Sequence, residues 1–294
     1  MVRRIGRRRL HRRFPAGLKN AQLDLYSQVL QGDFLHYGYF DDAGVPPERI
    51  SFHDMQHAQL RYAQEILKLI DVPGAPVLDA GCGRGGMLSF LEEAGFDATG
   101  LTPDVLEVEY IHRARRGVPI LHCRFEDFPS DDYKGAFGAI IHAESIQYMN
   151  PVRVFPVVRQ ILAPGGVWIV ADYFRTQPGG ERSGWLWEDF RKRLDSEGFR
   201  IAHSRDITMH VLPTLGFAHL LATRLGLPLF DYTQGKVQSK SPGAHYVLET
   251  VFEGARRSLE RSLEILDPVE FARRKRYMLV RIRREGESDG DAPA

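Results

Sequence analysis

One segment constrains this chain more than any other: Val77-Leu-Asp-Ala-Gly-Cys-Gly-Arg-Gly-Gly86, where a short apolar run passes into glycines at 81, 83, 85 and 86. Four residues suffice for a buried strand. The glycines that follow let the backbone turn tightly and approach a ligand at distances a Cβ would obstruct. A helical pattern then runs over Gly86–Ala94. Strand, glycine turn and helix in that order open a parallel α/β sheet, and the segment is expected to touch a cofactor.

The residues downstream repeat this alternation. Short apolar runs at Val77–Ala80, Ala98–Leu101, Pro119–His122, Ala139–His142 and Val167–Ala171 predict strands. Helical spacing over Gly86–Ala94, Val105–Arg116 and Val152–Leu162 predicts the crossovers between them, and Ala163-Pro-Gly-Gly166 reads as a chain reversal. A helix at Trp185–Glu197 and a strand at Phe199–Thr208 follow, and the last apolar run is Arg276–Ile282. If those two strands pair, the residues from Met209 to Arg274 are an insertion too long for an ordinary connection, and a folded cap is expected there. Upstream, Leu18–Leu30 and Ser51–Ile70 show helical spacing, the second run carrying Ser51 and Asp54 as candidate caps, with an aromatic loop, Phe34-Leu-His-Tyr-Gly-Tyr-Phe40, between them.

At 294 residues the chain has room for one α/β domain with an insertion. The expected division is a basic disordered tail at 1–13, a helical lid at 14–72, a cofactor-binding core at 73–208, a helical cap at 209–274, the final core strand at 275–284 and a polar tail at 285–294. The formal net charge of +1 offers no global attraction to nucleic acid, although seven arginines (3, 4, 7, 8, 9, 12 and 13) crowd the start. With only Cys82 and Cys123, neither a disulfide framework nor a zinc site is implied, so no structural metal and a reducing, cytoplasmic compartment are expected. No apolar run approaches the ~20 residues that span a bilayer.

Gly81, Gly83 and Gly86 also satisfy the dinucleotide fingerprint. Asp79, two residues before the first glycine, argues against a pyrophosphate, because a carboxylate there suits a cationic cofactor better than an anionic one. Val77–Gly86 resembles the first motif of class I S-adenosylmethionine-dependent methyltransferases, and further landmarks follow in that family's order over 77–208. Thr99-Gly-Leu-Thr102 resembles the end of the second strand, Glu126-Asp-Phe-Pro129 the adenine-side segment, and Leu162-Ala-Pro-Gly-Gly-Val-Trp-Ile-Val170 the turn and fifth strand. Two departures stand out. Thr102 occupies the place of the acid that usually holds the ribose, so that its hydroxyl or Asp104 must serve, and Arg124 stands where many members carry an acid. The resemblance implies a doubly wound, Rossmann-like, seven-stranded α/β sheet with its last strand antiparallel, and S-adenosylmethionine as cofactor. Its cofactor-side residues would be Asp79, Gly81, Gly83, Thr102, Glu126, Asp127 and His142.

The fourth strand runs into His142-Ala-Glu-Ser145 at the carboxyl edge, where ligands of such sheets bind. Glu144-Ser145 resembles the Glu-Ser of tocopherol, sterol, cyclopropane-lipid and natural-product methyltransferases, and His36-Tyr-Gly-Tyr39 resembles the aromatic loop preceding the core in part of that group. Glu144 and His142 are therefore the candidates for removing a proton from the acceptor. A structural carboxylate at 144 and a hydrogen-bonded histidine beside the cofactor at 142 are the alternatives. Tyr37, Tyr39, Glu144, Tyr148, His210, His245 and Tyr246 are the candidate substrate-side residues. The leucine- and phenylalanine-rich insertion favours a small, hydrophobic specialised metabolite or isoprenoid-like acceptor, without excluding simple burial or a homodimer contact. The competing functions are RNA or protein methylation, against which the near-neutral charge and capped pocket argue, and a cyclase that binds S-adenosylmethionine without net methyl transfer.

Overall fold

The computed structural model describes residues 32–115, 117–179 and 184–286. The expected helix at Leu18–Leu30, the tail at 1–13 and residues 287–294 lie outside the described residues. Seven strands, β1 (Val77–Ala80), β2 (Ala98–Thr102), β3 (Ile120–His122), β4 (Phe137–Ala143), β5 (Leu162–Arg175), β6 (Phe199–Asp206) and β7 (Lys275–Arg284), form one sheet in the order β3-β2-β1-β4-β5-β7-β6. The first five pair in parallel, and β7 runs antiparallel to both neighbours. Helices α1 (Phe52–Leu67), α2 (Gly86–Glu93), α3 (Val105–Ala114), α4 (Pro151–Ile161) and α5 (Trp187–Ser196) cover it.

Local chemistry sets these boundaries. Ser51 and Asp54 form a reciprocal capping box that starts α1, satisfying two backbone donors that the first turn leaves unpaired. Asp104 caps α3 through the Leu106 N–H, and Asn150 caps α4 through the Val152 N–H. The strand expected at Val167–Ala171 is far longer. It runs from Leu162, through Ala163-Pro-Gly-Gly166, to Arg175, because β7 supplies an antiparallel partner for every residue from Trp168 onward. Such non-local pairing leaves no signal in a sequence window.

The sheet is apolar on both faces, as a parallel sheet between helical layers must be. Leu78, Ile140, Trp168 and Val170 pack with Phe155 and Phe190 of α4 and α5 on one face. Val77, Ala139, Ile141 and Ile169 pack with Tyr62, Ile66, Leu88 and Ile111 of α1, α2 and α3 on the other.

β6 and β7 do pair, and the residues between them are helical: α6 (Thr208–Leu221), a π-helical turn at Ala222–Gly226, α7 (Leu227–Lys240), α8 (Pro242–Leu266) and α9 (Pro268–Arg274). The expected strand end at Thr208 is instead the start of α6, fixed by Asp206, whose Oδ1 accepts the Thr208 N–H at 2.8 Å.

The loop before α1 is tied down on two sides. Gln59 of α1 donates to the carbonyls of Phe34 and His36, and Tyr39 N–H reaches the Ala58 carbonyl. From α6, Thr214 Oγ1 accepts Gly38 N–H at 3.0 Å, and His210 Nδ1 donates to the Phe40 carbonyl at 2.8 Å. Gly38 is required for closeness, since a Cβ there would sit 2.5 Å from Ala58 Cβ.

Candidate active site

The strand order reverses between β1 and β4, and the loops leaving their carboxyl ends therefore diverge to opposite sides, opening the crevice in which such sheets bind ligands. Asp79 lies at the end of β1 and Glu144 immediately beyond β4. Gly81, Gly83 and Gly85 all adopt positive φ (94°, 52° and 85°), the region that L-residues avoid. At Gly81 a Cβ would also lie 2.5 Å from Ser145 Cβ. The two loops are in contact, and Ser145 Oγ fastens them by donating to the Ala80 carbonyl at 2.6 Å. Gly81→Ala is accordingly expected to lower the melting temperature by several degrees and to weaken cofactor binding at least tenfold, read by thermal unfolding and calorimetric titration.

Asp79 is buried, and its Oδ2 has no hydrogen-bond partner among the described residues. Desolvation alone pushes its carboxyl up to about 7 from an ordinary 3.8. A buried carboxylate oxygen that no described residue satisfies, beside a glycine loop with room for close approach, fits the cationic amino-acid end of S-adenosylmethionine. At the end of β2, Thr102 is buried and its hydroxyl donates to Glu107 Oε2 while accepting the Asp104 N–H. Asp104 is engaged as the α3 cap; Glu107, one helical turn into α3, is the residue that brings an acid to this strand end. Sequence reading missed it because it belongs to the following helix, although a glutamate at the third position of a capped helix was a visible signal.

The two adenine-side candidates are each engaged with α4. Glu126 Oε1 accepts Asn150 N–H at 3.0 Å, and Asp127 pairs with Arg153 at 2.7 Å, so both carboxylates fasten the start of α4. His142 is fully buried on the α4 face of β4, its ring edge-on to Phe125 at 4.6 Å. Trp168 Nε1–H donates to His142 Nδ1 at 3.0 Å, which makes Nδ1 the acceptor and leaves the ring proton on Nε2. Burial holds this imidazole down to about 3, so it stays neutral and turned into the core. The expectation that His142 moves a proton does not fit this placement.

Glu144 does occupy the crevice. It is a non-glycine residue at φ 52°, a strained position that turns its side chain out of the strand direction. Its Oε1 accepts two hydrogen bonds, from the Tyr37 N–H at 2.6 Å and from the Tyr277 hydroxyl at 2.8 Å. Tyr277 OH in turn meets Tyr62 OH at 2.8 Å, and Tyr62 OH lies 3.1 Å from the Ala171 carbonyl. Tyr277 gives its one proton to the carboxylate and Tyr62 gives its own to the Ala171 carbonyl, so the two hydroxyls stand in contact beside Glu144 with no third proton between them. Burial raises the Glu144 carboxyl to about 7, against the lowering effect of the Tyr37 and Tyr277 bonds. Asp172, buried behind the β4 loop, accepts the N–H groups of Gln147 and Tyr173 and holds that loop in place.

Around this carboxylate stand aromatic rings. Tyr37 lies 5.8 Å from Tyr277 and 6.3 Å from Phe271, and Tyr173 lies 5.7 Å from Phe271, with Lys275 Nζ 4.3 Å from the Tyr173 ring. Tyr277, Tyr62, Phe271 and Tyr173 were not anticipated. Of the expected substrate-side residues, Tyr37 joins Glu144. Tyr39 does not: it is buried and stacks on His210 at 4.3 Å, bracing the loop against α6. Tyr148 is exposed on the turn after Glu144, and Tyr246 is exposed on α8. The side chain of His245 lies outside the described residues.

Residues 78–170 match the family described as a methyltransferase domain. Among curated relatives, the chain is 30% identical over 155 residues to 2-methyl-6-phytyl-1,4-hydroquinone methyltransferase of Synechocystis, an alignment covering 48% of this chain and 45% of that protein. It spans about half the length of the curated relatives it matches first. Among solved structures it is similar to the [4+2]-cyclase SpnF (TM-score 0.65, 21% identity, 89% of this chain and 92% of that one). It is also similar to geranyl diphosphate C-methyltransferase from Streptomyces coelicolor A3(2), solved with Mg2+, geranyl diphosphate and S-adenosyl-L-homocysteine (TM-score 0.60, 17% identity, 85% and 90%).

Proposed function

From the premise that this chain carries a class I S-adenosylmethionine-dependent methyltransferase domain, we propose that it methylates a small, hydrophobic acceptor of the specialised-metabolite or isoprenoid-like kind in the aromatic-lined crevice at Glu144. One observation carries the reading: a carboxylate on a strained backbone, with one oxygen fixed by Tyr37 and Tyr277 and its surroundings built of tyrosine and phenylalanine. The name of the Synechocystis relative and the ligand of the geranyl diphosphate enzyme support an acceptor with an isoprenoid portion. The division into a lid at 14–72, a core at 73–208 completed by the strand at 275–284, and a cap at 209–274 is part of the same proposal.

Bound S-adenosylmethionine supplies an electrophilic methyl group on a sulfonium sulfur. Asp79 would pair with its cationic amino group, the turns at Gly81 and Gly83 would admit its amino-acid portion, and Thr102 with Glu107 would face its ribose. The remaining work is alignment, exclusion of water and removal of a proton. Tyr37 and the aromatic rings close the crevice, and α6 holds the lid loop shut over it through Thr214 and His210. Glu144 Oε1 is occupied by its two donors, so Oε2 is the oxygen that takes the acceptor's proton as the nucleophile gives it up.

The direct test is incubation of the full chain with methyl-labelled S-adenosylmethionine and a panel of prenylated hydroquinones, isoprenyl diphosphates and phenols. Label in the acceptor together with S-adenosylhomocysteine is the expected result. Conversion of an acceptor to an isomer of unchanged mass, with no S-adenosylhomocysteine, would favour the cyclase reading instead. A second expectation concerns Tyr277. Its hydroxyl lowers the Glu144 pKa, so Tyr277→Phe should move the rising limb of the pH–rate profile to higher pH and cut turnover several-fold at neutral pH. An unshifted limb would separate Tyr277 from proton transfer.

A further inference from the structure

The pair α7 and α8 forms an antiparallel hairpin. Phe230 and Phe252 meet at 6.2 Å across it, and Arg256 bonds Asp231 at 2.8 Å. Taking those two phenylalanines as the mutual faces, the ~100° turned per residue by an α-helix places the other side chains. Leu229 and Tyr232 fall to one side of α7, continuing from Leu225 in the π-helical turn. Val247, Val251 and Ile265 fall to the side of α8 that, in an antiparallel pair, looks the same way. All six are 58–75% exposed. The opposite side carries the ion pairs, Arg256 with Asp231 and Glu260, and Arg257 with Glu253. Asp and Glu are absent from the apolar side, and Lys236 and Lys240 stand on it, Lys236 Nζ lying 3.2 Å from the Tyr232 hydroxyl.

An exposed apolar face of this length is a binding surface. A second copy would present the same lysines and no carboxylate, so closing two such faces together would desolvate cations without a counter-charge. A lipid surface supplies both requirements: aliphatic side chains enter the acyl boundary while lysine and tyrosine ends remain among the headgroups. We infer that the α7–α8 hairpin docks by this face onto an anionic phospholipid bilayer. The inference rests on two helices remote from Glu144 in sequence and stands independently of the reaction catalysed. It would bring a lipophilic acceptor to the chain from the phase in which such molecules dissolve.

The test is flotation of the full-length protein with vesicles of phosphatidylcholine alone and of phosphatidylcholine with about one-third phosphatidylglycerol. Co-flotation with the anionic vesicles is expected. Leu229→Ser combined with Val251→Ser should reduce partitioning at least tenfold. Lys236→Gln combined with Lys240→Gln should reduce it about 25-fold, at roughly fivefold per cation. All these positions are exposed, and unchanged calorimetric binding of S-adenosylmethionine confirms that each variant is folded. Failure of the wild-type chain to float would overturn the inference. So would full flotation of both variants, which would assign binding to the arginines between 3 and 13, or a concentration-dependent dimer that the serine variant abolishes, which would assign the face to a second copy.

Discussion

Replacing Asp79 with alanine is expected to weaken S-adenosylmethionine binding at pH 8 by a hundredfold or more. Asp79 is buried at the carboxyl end of β1, and among the described residues its Oδ2 has no partner to offset its desolvation. A cationic ligand is what offsets it. Losing one partner of a buried charge pair costs about 3–5 kcal/mol, or roughly two to three and a half orders of magnitude in affinity. The same logic fixes a pH dependence. Without a cation nearby the Asp79 carboxyl is held up at about 7 by burial; pairing must pull it down, so binding at pH 6 should expel a proton and binding at pH 8.5 should not. Affinity should therefore fall as pH drops below about 7. Calorimetry at pH 6 in buffers of differing ionisation enthalpy reads the proton directly, and Asp79→Asn should abolish the difference. Near-normal affinity in Asp79→Ala would remove the basis for placing the cofactor at this turn.

The second large effect is expected at Glu144. Glu144→Gln keeps the size and an oxygen able to accept from Tyr37 and Tyr277 but cannot take a proton. Turnover should drop about 10²- to 10⁴-fold while cofactor affinity stays within a few-fold of the wild type. Because burial raises the carboxyl to about 7, the base form accumulates as pH rises through that value, and the wild-type rate should climb on the same limb. The glutamine variant should lose the limb as well as the rate. Equal turnover in the two proteins would make Glu144 a structural residue that holds Tyr37 and the lid loop, and measuring the pH profile of both distinguishes that outcome from partial loss of folding.

Much of the sheet was legible because local patterns encode it. Val77–Ala80, the glycines after it and Asp79 lie within one strand-turn-helix unit whose residue types are each required by the backbone at that point, including the positive φ at 81, 83 and 85. The capping box at Ser51 and Asp54 is equally local. His142 shows where local reading stops. Its position on β4 is clear from the apolar run, but strand alternation puts 142 and 144 on the same face; only the positive φ that turns Glu144 out of the strand direction and the contact of His142 with Trp168, 26 residues away, separate the imidazole in the core from the carboxylate.

Sequence by itself determined the parallel sheet, the cofactor turn and the carboxylate at the end of β4, since each depends on residues adjacent in the chain. The tertiary structure alone decided what that carboxylate can do. Tyr37 comes to Glu144 from 107 positions upstream and Tyr277 from 133 downstream, on a loop and on the one antiparallel strand of the core. Aromatic residues satisfy a helix or strand pattern equally well whether they pack or line a site. Distance along the chain carries no record of which hydroxyl meets which oxygen; that is fixed only when the sheet closes and the lid loop is clamped between α1 and α6.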